Sequence, residues 1–131
     1  MQNAQSPTPQ PKKENVIATK SLDFAVRIVN LHKHLCTKSI DRHIPRQLLK
    51  SGTSVGANVR EGLRAQTQED FIAKMNIALK EAEESEYWLE LLHRTQLLTD
   101  KEMESIFPEC NVLTRLLTSI VKTAKSNLQK K

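Results

Sequence analysis

Glycine is nearly missing from this 131-residue chain, and all three glycines fall within one stretch, SGTSVGANVREG, residues 51–62. That stretch otherwise reads as helix, so a phosphate-cradling glycine loop is excluded. Aromatic residues make up only 4% of the chain, and the β-branched and aromatic runs of strands are absent, which argues against a sheet. The two cysteines, Cys36 and Cys110, stand far apart, without the spacing of a metal motif or a disulfide framework. They are expected to be reduced cytosolic thiols packed as small apolar residues. No apolar run approaches the roughly 20 residues of a membrane span. The opening MQNAQSPTPQPKKEN lacks the apolar core of a signal peptide. The expectation is a cytoplasmic protein with no membrane partner.

What is present favours helix. Leu, Ala, Lys, Glu and Gln dominate. Residues 1–15 carry Pro7, Pro9 and Pro11 among polar residues and are expected to form a disordered tail. A bundle domain is expected over residues 16–128, in four segments. The first runs from about Ile17 to Cys36 with Phe24, Ile28, Leu31 and Leu35 in line, backed by Leu22, Ala25 and Val29. The second starts at Pro45, suited to a first turn, and carries Leu48, Gly52, Val55, Val59 and Leu63. The third opens at Thr67 and has a seam spaced alternately four and three: Phe71, Met75, Ala78, Ala82, Ser85, Leu89 and Leu92. The fourth opens on Thr99-Asp100-Lys101-Glu102, a capping box. Pro108 is expected to kink or divide it. Short links make neighbours antiparallel. The fold class predicted is all-α, an antiparallel up-and-down four-helix bundle.

At about 100° per residue, the second helix has three faces. Leu48, Gly52, Val55 and Val59 form an apolar face. Ser51, Ser54, Asn58 and Glu61 form a small-polar face beside it. Arg46, Lys50, Arg60 and Arg64 form a basic face. Gly52 and Gly56 remove side-chain bulk, and the third helix offers Ala78, Ala82 and Ser85 as small counterparts. These two surfaces are therefore expected to meet. Gly62 is read as a C-terminal turn residue. The polar stripe is expected to be a partly buried, satisfied hydrogen-bond network that fixes register, with a ligand pocket as the alternative.

Charge is divided along the chain. Between Arg42 and Arg64 there are five bases and one acid, Glu61, whereas between Gln66 and Leu98 there are seven acids and three bases. Lys122, Lys125, Lys130 and Lys131 add to the basic side. The basic face suits the phosphate backbone of RNA or DNA. It equally suits the acidic third helix of another subunit or a partner protein. Tyr87 and Trp88, the main stacking candidates, are expected to pack in the bundle. Catalysis is not expected, because Ser51 and Ser54 have no recognisable base at a useful spacing. A di-iron site needs two Glu-x-x-His pairs, and Glu90-Leu91-Leu92-His93 stands alone. No metal or cofactor is expected.

The pattern Ser51-x-x-Ser54-Val55-x-x-Asn58-Val59-x-Glu61-Gly62 resembles the signature of the bacterial four-helix-bundle proteins known as 23S rRNA intervening-sequence proteins. Asp70-Phe71-Ile72, Ile77-Ala78-Leu79-Lys80-Glu81-Ala82, Glu84, Tyr87-Trp88-Leu89 and Ser21-Leu22-Asp23-Phe24-Ala25 agree with it in order and spacing. Val55 and Val59 replace the commoner isoleucine. The resemblance covers roughly residues 20–125. It implies a homopentamer and no family-wide enzymatic activity. A distantly similar accessory protein of diversity-generating retroelements implies nucleic-acid binding through a basic surface. The reading is thus a non-enzymatic oligomeric bundle that binds structured RNA or DNA, with a protein-interaction scaffold as the alternative.

Overall fold

The structure is a computed structural model that describes residues 13–130, with side chains from residue 16 onward. Four helices follow in order: α1 (Lys13–Lys38), α2 (His43–Leu63), α3 (Gln68–Arg94) and α4 (Asp100–Gln129). Each helix packs on the next, and α1 closes the circuit against α4. Among the described residues, diagonal helices bring no Cα atoms within 8 Å of each other and share only the central core. This is the up-and-down bundle, with α2 and α3 sharing the most extensive contact. α1 begins at Lys13, so residues 13–15 belong to the helix and not to a tail. The expectation for residues 1–12, and Lys131, lie outside the described residues.

Local signals set the helix starts. Asp70 N donates to Thr67 Oγ1 at 3.1 Å. At α4, Glu102 N donates to Thr99 Oγ1 at 3.1 Å and Thr99 N donates to Glu102 Oε1 at 2.8 Å, so the reciprocal box is complete. α3 ends in a Schellman turn: Gln96 N donates to the His93 carbonyl and Leu97 N to the Leu92 carbonyl, both at 3.0 Å. Gln96 sits there at φ 69°, in the left-handed region where glycine is usual.

Apolar periodicity sets the core. Phe24, Ile28, Leu35, Leu48, Val55, Val59, Met75, Ala78, Ala82, Leu89, Leu113 and Leu117 are all buried. Two apolar residues assigned to the interior turn out to be open: Leu22 is 52% exposed and Leu63 38%. They lie on the flanks of their helices, where α1 and α2 leave a groove between them.

Pro108 does not divide α4, which is continuous from Asp100 to Gln129. The proline removes the N–H that would reach the Glu104 carbonyl. Both residues lie on the exposed side of the helix, where water can serve that carbonyl. Arg27 of α1 braces the same turn. Its Nη1 donates to the Ser105 carbonyl at 3.2 Å and its Nη2 to Ser105 Oγ at 2.9 Å, and it pairs with the Glu109 carboxylate.

The glycines face a different neighbour from the one the sequence suggests. A Cβ on Gly52 would lie 2.9 Å from both Cγ1 and Cγ2 of Ile28, and one on Gly56 would lie 3.3 Å from the Ser21 carbonyl oxygen. Both contacts are with α1, not α3. Small side chains on one edge of the apolar face let α1 approach, while Ser51 on the other edge meets α3. Gly62 is not a turn residue with positive φ. It is buried in the last turn of α2, where a Cβ would come within 3.1 Å of Lys74 and Met75.

Candidate nucleic-acid interface

Helix α2 carries the site. Asp41 Oδ1 accepts from His43 N at 3.0 Å and steadies the entry to the helix. The first helical bond runs from Arg46 N to the Arg42 carbonyl at 3.0 Å. Pro45 sits in this first turn, where its missing N–H costs little. The helix closes at Arg64, whose N–H donates to the Glu61 carbonyl at 3.1 Å. The line from Arg46 to Arg64 therefore extends roughly 27 Å at 1.5 Å per residue.

Arg46, Lys50, Arg60 and Arg64 are all exposed. None of them makes an ion pair among the described residues. Three other bases are engaged, Arg27 with Glu109, Lys38 with Glu102 and Lys74 with Glu61, while exposed Arg115, Lys122 and Lys125 of α4 also make no ion pair among the described residues. Lys50 lies near Glu81 of α3. Burial, then the charge of Glu84, push the Glu81 carboxyl above its usual 4.5, and the Lys50 charge opposes that rise.

The polar stripe divides into separate parts. Ser51 is buried with its Oγ 2.8 Å from Ser85 Oγ of α3. Ser85 Oγ donates to the Glu81 carbonyl at 2.9 Å, which leaves it free to accept from Ser51. Ser54 Oγ donates to its own helix at the Lys50 carbonyl, 2.7 Å away. Asn58 Nδ2 donates to the Ser54 carbonyl at 2.9 Å. The Glu61 side chain is 61% exposed and pairs with Lys74 Nζ of α3 at 3.0 Å. The hydrogen bond that Lys74 donates to Glu61, then the Glu61 charge, raise the Lys74 pKa above 10.5. The residues are thus not joined into one network, because only Ser51 faces the interior squarely. Glu61 spends its charge on α3 and leaves Arg60 and Arg64 unneutralised.

Tyr87 is not packed in the bundle. It is 57% exposed on the outside of α3 and meets Trp88 edge to face, ring centroids 5.0 Å apart. Trp88 is partly buried against the core, and its Nε1 donates to Glu84 at 2.9 Å. His93 Nε2 lies 2.7 Å from Asp100 Oδ1 and ties the end of α3 to the start of α4. Among the described residues, no group of three or more His, Cys, Asp or Glu side chains is placed to hold a metal ion. Cys110 is buried, and burial pushes its thiol pKa up. Cys36 is partly exposed, with Sγ 3.5 Å from His32 Nε2. No described helix is long and apolar enough to cross a membrane.

Sequence reasoning missed a groove between α1 and α2, of about 470 Å³, beside the Arg60–Arg64 end of the basic line. Ala18, Leu22, Ala25, Ala57, Val59 and Leu63 give it apolar walls. Its signal in the sequence was the pairing of small residues on α1 with Gly56 and Ala57 on α2.

Fold and site together define a small all-α bundle whose second helix has a basic outer face. The family model for 23S rRNA-intervening sequence proteins matches residues 13–119. The chain belongs to the 23S rRNA-intervening sequence protein family. It is also similar to a solved protein of unknown function from the S23 ribosomal protein family of Bacteroides thetaiotaomicron, at 53% identity and TM-score 0.82, covering 85% of this chain and 99% of that one. Comparison with curated proteins gives no match.

Proposed function

We propose that the chain is a non-enzymatic, self-associating bundle that binds structured RNA or DNA through Arg46, Lys50, Arg60 and Arg64. The observation that carries this reading is the exposure of all four bases with no ion-pair partner among the described residues. A row of unpaired cations releases condensed counterions when it meets phosphates, and this drives association without sequence preference. The exposed aromatic supply is small, so the affinity is electrostatic before it is stacking. A homopentamer, expected from the family likeness, would repeat the basic line around a ring. A cytoplasmic bacterial setting goes with this reading. Titrating structured RNA and duplex DNA at stepped salt concentrations tests it. Binding that weakens steeply with salt supports the proposal, and absence of binding at low salt overturns it.

The second reading is a protein-interaction scaffold. It is favoured by the outer side of α3, where Ile77 is 40% exposed and Tyr87 57%, among exposed Glu83, Glu84 and Glu90. That surface is opposite in charge to α2 and could take the basic face of a neighbouring copy. Light scattering on Arg60→Ala with Arg64→Ala separates the two. A loss of mass assigns the arginines to subunit contact, and an unchanged mass leaves them to phosphates.

A further inference from the structure

We propose that the groove between α1 and α2 receives an unpaired nucleobase, so that the protein prefers nucleic acid with single-stranded loops or bulges over plain duplex. This inference rests on the basic line of α2 being the phosphate contact. Three features of the groove lead to it.

The first is composition. The walls are apolar, with Leu22 52% exposed and Leu63 38% exposed. Apolar surface left open in this way gains by covering a flat, weakly hydrated ring face. The floor is formed at Gly56, where a side chain would come within 3.3 Å of the Ser21 carbonyl oxygen, so the two backbones nearly touch and no side chain fills the space.

The second is charge. Arg60 and Arg64 border the groove with no ion-pair partner among the described residues, and Glu61, which also lines it, has its carboxylate paired with Lys74 at 3.0 Å, so the net charge of the rim is positive. They stand one helical turn apart, roughly 6 Å along the axis. A ligand suited to this rim carries an anion beside an apolar plane, as a nucleotide does.

The third is access. Bases in a duplex are stacked on one another and cannot enter a cleft between two helices, whereas bases in loops and bulges can be splayed out. The polar groups in the groove add little discrimination among bases, the Glu61 carboxylate being held by Lys74. Ser21 Oγ donates to the Ala18 carbonyl at 3.3 Å and Thr53 Oγ1 to the Leu49 carbonyl at 2.7 Å, so their hydroxyl protons are already committed. The groove therefore reads strandedness and not sequence.

The test compares an RNA hairpin bearing an unpaired loop with a blunt RNA duplex of equal phosphate number, by fluorescence anisotropy at one fixed salt concentration. The full chain should bind the hairpin about tenfold more tightly, a difference that burial of one base face can supply. Ala57→Met fills the groove from an exposed position on α2, and Ala25→Met fills it from α1. Each should bring the hairpin down to the duplex affinity and leave duplex binding unchanged. Thermal melts confirm that each variant is folded, and the exposed Ala57 site keeps the test available if Ala25→Met does not fold. Equal binding of hairpin and duplex by the unaltered chain overturns the groove proposal while the basic line stands. A preference that survives Ala57→Met overturns it as well. Failure to bind either RNA at low salt overturns the phosphate reading, and the groove proposal falls with it.

Discussion

Ser51 Oγ on α2 lies 2.8 Å from Ser85 Oγ on α3, and both residues are fully buried. This hydrogen bond crosses the most extensive helix pairing in the bundle and fixes its register. Removing the Ser85 hydroxyl leaves Ser51 Oγ with only the Leu48 carbonyl at 3.4 Å, whereas removing the Ser51 hydroxyl leaves Ser85 Oγ donating to the Glu81 carbonyl. Ser51→Ala should therefore lower stability less than Ser85→Ala, both within about 1–3 kcal/mol. The double variant should cost less than the sum, because the bond between the two hydroxyls is counted in both single losses. Urea unfolding of the four members of this cycle measures the coupling.

Gly52 faces Ile28, whose Cγ1 and Cγ2 would lie 2.9 Å from an added Cβ. Gly52→Ala gains helix propensity of about 1 kcal/mol. It also overpacks a buried contact, at about 1–3 kcal/mol. The net effect should be destabilising, and in a chain that also carries Ile28→Ala, which removes both Cγ atoms, Gly52→Ala should cost less than it does in the parent. Melting temperatures of the single and double variants check the sign.

How far the sequence discloses this fold depends on the range of the interaction. The Thr99–Glu102 box and the Thr67 cap are made by residues within one turn, so they were legible. The seams of α2 and α3 were legible because burial imposes their spacing. The neighbour of each edge was not. In a bundle every helix touches two others, and a helical wheel does not say which edge meets which. Gly52 and Gly56 therefore went to the wrong partner, whereas Ser85 was placed on the correct seam. Leu22 and Leu63 looked like core for the same reason. The basic line of α2 was visible as charge, but its freedom from ion pairs depends on Glu61 being drawn to Lys74. That pairing is a tertiary fact.

Gln96 holds a φ of 69° at the end of α3. A non-glycine residue in that region carries about 1–2 kcal/mol of strain. Gln96→Gly should raise stability by about 1 kcal/mol, part of the relief being offset by the greater freedom of glycine in the unfolded chain. A shift of the urea midpoint to higher concentration, with an unchanged slope, is the expected outcome.

Glu102 holds its carboxyl below the usual 4.5, first through the hydrogen bond from the Thr99 backbone, with help from the Thr99 side chain, Lys38 and His34. A depressed folded-state pKa adds stability above the unfolded value and loses it as pH falls through the folded value. The contribution is therefore present at neutral pH and fades below about pH 4.5. Glu102→Gln should flatten that acid limb of the melting profile while leaving the rest of the curve nearly parallel to the parent. Melts between pH 3 and 7, a range of roughly this width being set by the carboxylate titration, show the difference.

The central claim is that the unpaired bases of α2 contact phosphate. The most direct measurement is the slope of log affinity against log salt for structured RNA, compared between the parent chain and a variant with Arg46, Lys50, Arg60 and Arg64 all changed to alanine. Each phosphate contact contributes roughly 0.7–0.9 to that slope, so the variant's slope should be shallower by about 3. Its melting temperature should stay close to that of the parent, since all four side chains are exposed. A variant that binds RNA with the parent's affinity and the parent's slope would contradict the claim.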